Sequence, residues 1–332
     1  MRLQLTNFDF NLPKDLIAQY PLEERDAAKL IVIDRKKNSV EHRIFKDIKD
    51  YFSKGDTLIL NDTKVLPCRF KGVRKTGGKV EVLLLSQEQQ SLTFKALIKP
   101  NRLKQGETII FNSGKLSAEI ISRNKILFCA KDASSIYAYG QMPLPPYIKR
   151  EPEVKDAVYY QTVYAKNEGA VASPTAGLHF TEKLINALES FGVNVSYVTL
   201  HVGLGTFKPV ITEDIRNHRM DSEYYLIPQE TIRSINDARL NKKRIIAVGT
   251  TSLRTLEAYA SKAQEGFTDL FIYPGYKFKI TDCLLTNFHL PRTTLFMLVC
   301  AFCGIELVKK AYQEAIDRKY RFYSYGDAML IL

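Results

Sequence analysis

The 332-residue chain carries 48 Lys and Arg against 36 Asp and Glu, a net charge of +12, and is 45% hydrophobic. That length exceeds what one core ordinarily organises, so two domains are expected, with the composition of a soluble globular protein. A membrane span needs ~20 consecutive apolar residues, and the longest run here, residues 295–303, is too short and suits a buried helix. Residues 1–7 have no signal-peptide core, and five scattered cysteines, an odd number, point to reduced thiols and a cytoplasmic setting. The charge is uneven. Residues 62–150 hold 16 Lys and Arg but 6 Asp and Glu, which leaves the remainder almost neutral. An acidic partner is expected, nucleic acid foremost, and a solvated lysine-rich surface is the competing reading.

In chain order, apolar runs at 30–33 and 40–44 flank a polar turn and predict a hairpin. Residues 45–52 read as a short helix that Gly55 ends. Residues 57–60 read as a buried strand delivering Asn61, Asp62 and Lys64 to its end, where open α/β sheets bind ligands. Six short β-type runs follow, at 69–73, 79–85, 92–97, 107–111, 116–121 and 125–129. With turn signals between them they predict an antiparallel barrel or sandwich. Gly77-Gly78 lacks the rest of a phosphate-loop motif. The prolines of 142–148 read as an extended linker or as lining of a site.

Residues 159–182 are the stretch around which the rest is organised. An aromatic, strand-like run leads into small residues, then Pro174, Gly177 and His179, then a helix over 180–191 with Thr181 as cap. A strand at 193–200 runs into the loop 201–207. A short helix at 211–216, a strand at 223–227 and a helix at 230–240 come next. The strand 244–248 feeds Gly249-Thr250-Thr251-Ser252 and a helix over 253–263. A strand is expected at 269–273, and 284–291 reads as a strand-to-loop step before a last helix. This alternation predicts an α/β domain whose sheet is parallel or mixed.

Five polar loops therefore stand at strand ends, and in an α/β sheet they can converge on one edge. They carry His179, His201 and His289, each a candidate acid or base at neutral pH, with a structural hydrogen-bonding role the equal alternative for any one of them. Gly249, Thr250, Thr251, Ser252 and Arg254 open a helix directly after a strand. Their N–H groups, hydroxyls and guanidinium suit a carboxylate or phosphate, and a plainly capped helix is the competing reading. Cys300 and Cys303 have metal-pair spacing but sit in an apolar helical run without a second pair, so they read as core. Asp221 and Glu223 read as a solvated turn or as an acid–base pair. Residues 320–329 interleave basic and aromatic side chains, which suits stacking on bases or packing back on the core.

Long motifs in one order carry a resemblance that runs nearly end to end. They include Asn61-Asp62-Thr63-Lys64-Val65, Met142-Pro143-Leu144-Pro145-Pro146-Tyr147-Ile148, Pro174-Thr175-Ala176-Gly177-Leu178-His179-Phe180, His201-Val202-Gly203, Ala247-Val248-Gly249-Thr250-Thr251 and Thr286-Asn287-Phe288-His289-Leu290-Pro291. On these the chain resembles the S-adenosylmethionine:tRNA ribosyltransferase-isomerase family of queuosine biosynthesis. The resemblance implies an α/β main domain with a mixed sheet (1–65 and 145–332) interrupted by a smaller antiparallel β-barrel-like domain (66–144). It implies transfer and isomerisation of the ribosyl part of S-adenosylmethionine onto 7-aminomethyl-7-deazaguanine at the tRNA wobble position. Epoxyqueuosine-tRNA, adenine and methionine are the products. S-adenosylmethionine is then a consumed cosubstrate, and no metal, redox cofactor or membrane is expected; a monomer is expected, with a dimer as the alternative. There are three departures from the family pattern: Arg25-Asp26-Ala27-Ala28-Lys29-Leu30 stands where Ser and Arg are expected before the leucines, Asp221 where a His is expected, and Ser173 where an Ala is expected.

On this reading His179 is the first candidate acid or base, followed by His201 and His289. Arg254 with the Gly249–Ser252 helix start would hold a carboxylate or phosphate. Asn61, Asp62, Lys64, Thr175, Gly177 and Asn287 would line the same pocket, and the basic barrel would grip the anticodon stem-loop. Two other classes compete. A tRNA methyltransferase using the same cosubstrate lacks support because no glycine-rich loop follows an early strand, and a non-catalytic RNA-binding protein does not account for three histidines in loops.

Overall fold

The computed structural model describes residues 3–88, 91–203 and 209–332. The N-terminal hairpin forms as expected. Strand β1 (Lys29–Asp34) pairs antiparallel with β2 (Ser39–Ile44). Residues Phe45–Tyr51 then form a 3₁₀ helix rather than an α-helix. Phe45 and Ile48, both fully buried, lie three residues apart, which is the repeat of a 3₁₀ turn. Strand β3 (Thr57–Asn61) is buried throughout. It is followed at once by β4 (Thr63–Val65).

Six strands close the barrel: β5 (Arg69–Arg74), β6 (Lys79–Gln87), β7 (Thr93–Lys99), β8 (Thr108–Phe111), β9 (Leu116–Ser122) and β10 (Lys125–Cys129). Their order around the ring is β10-β7-β6-β5-β8-β9, antiparallel at every pairing. Alternate residues point inward, and Phe70, Phe94, Phe111 and Phe128 fill the interior. Helix α1 (Ala133–Tyr137) leaves the barrel. The proline-rich stretch 142–148 is neither a solvated linker nor a wall of the main cavity. Met142, Leu144 and Ile148 are buried with Ala18, Val65, Tyr160, Leu178 and Tyr325, so it is a packed strut between the barrel and the larger unit.

After α2 (Asp156–Tyr159) the strand β11 (Asn167–Ala170) pairs with β4. Helix α3 (Glu182–Phe191) starts where the Thr181 hydroxyl accepts the Leu184 N–H at 3.1 Å and ends at Gly192 in the left-handed region. The remaining elements are β12 (Asn194–Leu200), β13 (Glu223–Leu226), α4 (Gln229–Leu240), β14 (Ile245–Val248), α5 (Gly249–Tyr259), β15 (Glu265–Thr268), β16 (Cys283–Asn287), α6 (Thr294–Cys303), α7 (Ile305–Asp317) and β17 (Ala328–Ile331). Nine strands make one mixed sheet in the order β15-β13-β12-β3-β14-β16-β17-β1-β2. The alternation of each strand divides its side chains between two cores. Leu30, Val32, Leu58, Leu60, Ile246 and Leu285 meet Phe45, Ile48 and α3 on one face. Ile31, Ile33, Ile59, Ala247 and Leu284 meet residues of α4 to α7 on the other. Cys300 is part of that second core, as the apolar run required.

Three expectations change. The strand foreseen at 269–273 is instead β15, four residues earlier, on the sheet edge, where Glu265 and Phe267 are exposed and Thr268 is buried. The aromatic run that suggested a strand packs by its side chains, and the Leu270 carbonyl is taken by the Arg254 side chain. The helix foreseen at 211–216 is one 3₁₀ turn, Ile215–Asn217, begun by the Asp214 carboxylate. The end of the chain does more than pack: β17 enters the sheet between β16 and β1. Among the described residues no helix is long and apolar enough to cross a membrane.

Candidate active site

Strands β12, β3, β14 and β16 run parallel and side by side, so their C-terminal ends share one edge. The loops leaving that edge line a cavity that opens to solvent, the place where an α/β sheet of this kind binds its ligands. Residues 173–176 form one wall, the first turn of α5 a second and the segment after β16 a third, while Tyr323 and Ser324 close the end.

Each wall has a local cause. Gly249 has φ +85° and turns β14 directly into α5, so the helix begins at the cavity without a side-chain cap. The first N–H groups of α5 have no partner within the helix and open on the space with Thr250 and Thr251. On the opposite wall Thr175–His179 form a 3₁₀ turn. Gly177 is required there, because a Cβ would stand 2.0 Å from the Tyr164 hydroxyl. The hydroxyls of Ser173 and Thr251 are buried and find no hydrogen-bond partner among the described residues. Buried polar atoms are ordinarily paired, so these are groups a ligand would satisfy.

The three histidines are separated by the fold. His289 lines the cavity and shares a 2.9 Å hydrogen bond between its Nε2 and the Thr286 hydroxyl. Burial pulls its pKa down to about 3. His179 lies behind the wall. Its Nε2 is 3.3 Å from Asn287 Oδ1, and its ring packs on Phe45. Asn287 is oriented by its own donors, since Nδ2 donates to the Tyr323 carbonyl at 2.9 Å. Its oxygen therefore faces the imidazole, and Nε2 carries a proton as donor. Burial lowers the His179 pKa to about 4, outweighing the Asn287 oxygen and the Arg25 backbone, which both favour the charged ring. His201 stands apart: its Nδ1 meets the Thr63 hydroxyl at 2.8 Å and its ring stacks on Tyr224. Burial also lowers its pKa, but its neighbour Val202, not His201, reaches the cavity.

Thr175, Gly249, Thr250, Thr251, Asn287 and His289 thus come together as expected, with His179 bonded through the wall. Gly177 and Ser252 lie a layer behind. Asn61, Asp62 and Lys64 do not line this space. Because β3 passes at once into β4, their side chains tie strands together. Asn61 bonds both backbone groups of Leu200, and Asp62 accepts from the Thr199 hydroxyl at 2.7 Å and from Asn167 at 2.9 Å. Lys64 pairs with Glu168 at 3.0 Å beside the barrel. Arg254 is not positioned as an anion clamp either. It faces away from the cavity and forms a buried ion pair with Glu223, whose other oxygen accepts the Gly203 N–H at 2.8 Å. Glu223, expected in a solvated turn or as a catalytic group, is 4% exposed in that pair, whereas Asp221 is exposed. Lys29 caps the end of α7 by donating to the carbonyls of Arg318 and Lys319. Residues 204–207 of the expected loop lie outside the described residues. Among the described residues no group of three or more His, Cys, Asp and Glu side chains is placed to hold a metal ion.

Tyr323 and Ser324 belong to the segment 320–329 that the sequence offered for base stacking or for packing on the core, but neither was singled out as a cavity residue; the structure adds that Tyr323 has φ +76°, a costly backbone for a bulky residue.

A family model described as queuosine biosynthesis protein matches residues 5–331. The chain belongs to that family. Relatives named S-adenosylmethionine:tRNA ribosyltransferase-isomerase include one from Sulfurihydrogenibium sp. (strain YO3AOP1), 51% identical over 99% of this chain and 100% of its own length. Another, from Caldanaerobacter subterraneus subsp. tengcongensis, is 48% identical with the same coverage. A crystal structure of S-adenosylmethionine tRNA ribosyltransferase from Thermotoga maritima is 39% identical, with a TM-score of 0.58, covering 98% of this chain and 100% of that one. The mixed sheet with its barrel is therefore the architecture of a queuosine biosynthesis protein.

Proposed function

We propose that the protein transfers the ribosyl moiety of S-adenosylmethionine to 7-aminomethyl-7-deazaguanine at the wobble position of tRNA and isomerises it, giving epoxyqueuosine-tRNA, adenine and methionine. The observation that supports this most directly is the cavity at the shared strand edge, with His179 held behind it by Asn287. The sulfonium acidifies the protons on the adjacent ribose carbon and makes that carbon electrophilic, so the reaction needs a neutral base and two large substrates held in register. His179 is neutral at pH 7 because it is buried. Once it takes a proton, the Asn287 oxygen and the Arg25 backbone stabilise the imidazolium. His289 is the second candidate, placed to meet the departing base within the cavity. The buried hydroxyls of Ser173 and Thr251 and the first N–H groups of α5 supply hydrogen bonds to the nucleoside. Binding of tRNA falls to the barrel, where Lys95, Lys99 and Arg102 are exposed and have no carboxylate partner among the described residues. S-adenosylmethionine is consumed, and the residues need no further cofactor for these steps.

The test uses tRNA bearing the deazaguanine and S-adenosylmethionine labelled separately on ribose and methyl. Ribose label on the RNA is the expected result. Methyl label on the RNA would mean a methyltransferase, and no label would mean a protein that binds RNA without modifying it.

A further inference from the structure

A second, smaller cavity backs onto the first. Ser324 lines both, and the wall between them includes the hydrogen bond from His179 to Asn287. The second cavity is bounded by Arg25, Tyr159, His179, Ser324, Tyr325 and Gly326 among others, and no Asp or Glu lines it.

The Arg25 guanidinium sits in this wall with two backbone partners, the carbonyls of Leu178 at 3.1 Å and Val158 at 2.8 Å. These use two of its five N–H donors. It pairs with no carboxylate among the described residues, and burial makes its charge harder to hold, lowering its pKa. Arg321 does not line this cavity and has Asp327 as a charge neighbour, although its Nη1 is buried without a partner among the described residues. A half-buried cation without a counter-charge, facing a cavity with no acidic lining, is an arrangement that an anion completes: fork-shaped N–H donors match a carboxylate or a phosphate oxygen pair.

We infer that the cavity at Arg25 is an anion subsite, built to receive the oxyanion of a substrate whose reacting carbon lies at the His179–Asn287 wall. This rests on the ribosyl-transfer reading, under which two oxyanions are available: the α-carboxylate of the methionine part and a phosphate flanking the wobble nucleotide. Either one, seated beside His179, adds negative potential next to the imidazole, so the same contact that anchors the substrate strengthens the base. Arg25 was not among the residues that the sequence pattern suggested for binding.

Equilibrium binding decides the matter without turnover. Titration calorimetry with S-adenosylmethionine and with its decarboxylated analogue is run on the wild-type protein, Arg25→Gln and Arg25→Lys, with circular dichroism and thermal melting as controls for folding. If the carboxylate is the occupant, wild type favours S-adenosylmethionine by at least about tenfold. Arg25→Gln then loses that preference while its affinity for the analogue stays the same, and Arg25→Lys keeps part of it. If the phosphate is the occupant, affinity for S-adenosylmethionine is unchanged and affinity for the deazaguanine tRNA falls by about tenfold in Arg25→Gln. Unchanged affinity for both ligands in a folded variant overturns the subsite, and should Arg25→Gln not fold, Arg25→Lys decides by the same criterion. Failure of the wild type to transfer ribose would instead overturn the ribosyl-transfer reading, independently of these affinities.

Discussion

His179 owes its character to burial more than to partners. A neutral imidazole at 5% exposure makes two predictions, one for catalysis and one for stability. His179→Ala is expected to lower kcat by roughly 10²–10⁴ with little change in the Kd for S-adenosylmethionine, measured by single-turnover kinetics and titration. His201→Ala is expected to lower stability and leave the chemical step almost intact, because His201 holds Thr63 and stacks on Tyr224. The stability prediction follows from the sign of the shift. The unfolded chain binds a proton at His179 near pH 6.5, whereas the folded protein binds it only near 4. Folding stability is therefore full above pH 6.5 and is lost as pH falls from about 6.5 toward 4, by on the order of 3 kcal/mol for this group. His289 acts in the same direction. Urea unfolding between pH 4 and 8 reads this directly, and a pH-independent midpoint would show that neither ring is held neutral. The histidines were legible as candidates because each follows a strand. Their separation into one wall, one lining position and one structural tie depends on a turn of a few ångströms that spacing alone does not encode.

At the scale of elements, the helices and strands around the cavity were mostly readable because caps and periodicities agreed with burial. Thr181, for example, caps α3 as its position suggests, and Thr181→Ala is expected to cost about 1 kcal/mol, measured by chemical denaturation. The error over α5 has a clear cause. Gly249-Thr250-Thr251-Ser252 looks like a loop by composition, yet a single left-handed glycine lets the helix begin at the strand end, four residues before the expected start. That shift rotates Arg254 toward β13 and buries it against Glu223. Glu223→Ala leaves an uncompensated buried guanidinium and is expected to destabilise the protein by roughly 3–5 kcal/mol. Where the variant is folded, its Kd for S-adenosylmethionine should match wild type. A selective loss of that affinity at unchanged stability would return Arg254 to the binding site. Glu265–Thr268 was missed as a strand for the opposite reason. An edge strand needs only one apolar face, and its sequence lacks the continuous apolar run that marks buried strands such as β3.

For the whole molecule, the charge count was the most informative global signal, since it isolated the segment that folds as the barrel. Several of those charges are internally matched, as with Arg74 and Glu107 at 2.5 Å or Lys125 and Glu88 at 2.5 Å. Lys95 and Lys99 are not, and they project from the same strand, β7. The double variant Lys95→Glu with Lys99→Glu is expected to weaken tRNA binding at least about tenfold. It should also lower the slope of log K against log salt by about one for each phosphate that is no longer neutralised. Affinity for S-adenosylmethionine should not move. Unchanged tRNA affinity would place the RNA elsewhere. The interrupted arrangement itself was legible only through the family resemblance. Strand β4 meets its partner β11 across the whole barrel, and no local pattern announces a pairing between segments about a hundred residues apart.

The position of β17 has a further consequence, for the order in which the protein is assembled. The hairpin β1–β2 joins the sheet only through β17, which is made nearly three hundred residues later. During synthesis that hairpin has no neighbouring strand to dock on until the ribosome has delivered almost everything else. The barrel pairings, by contrast, lie within about sixty residues of one another and can form early. Pulse-labelling hydrogen exchange during refolding should therefore protect barrel amides such as those of β6 and β7 before those of β1. Until β17 arrives, the exposed edges of β1 and β16 are the surfaces that a nascent-chain chaperone would have to shield.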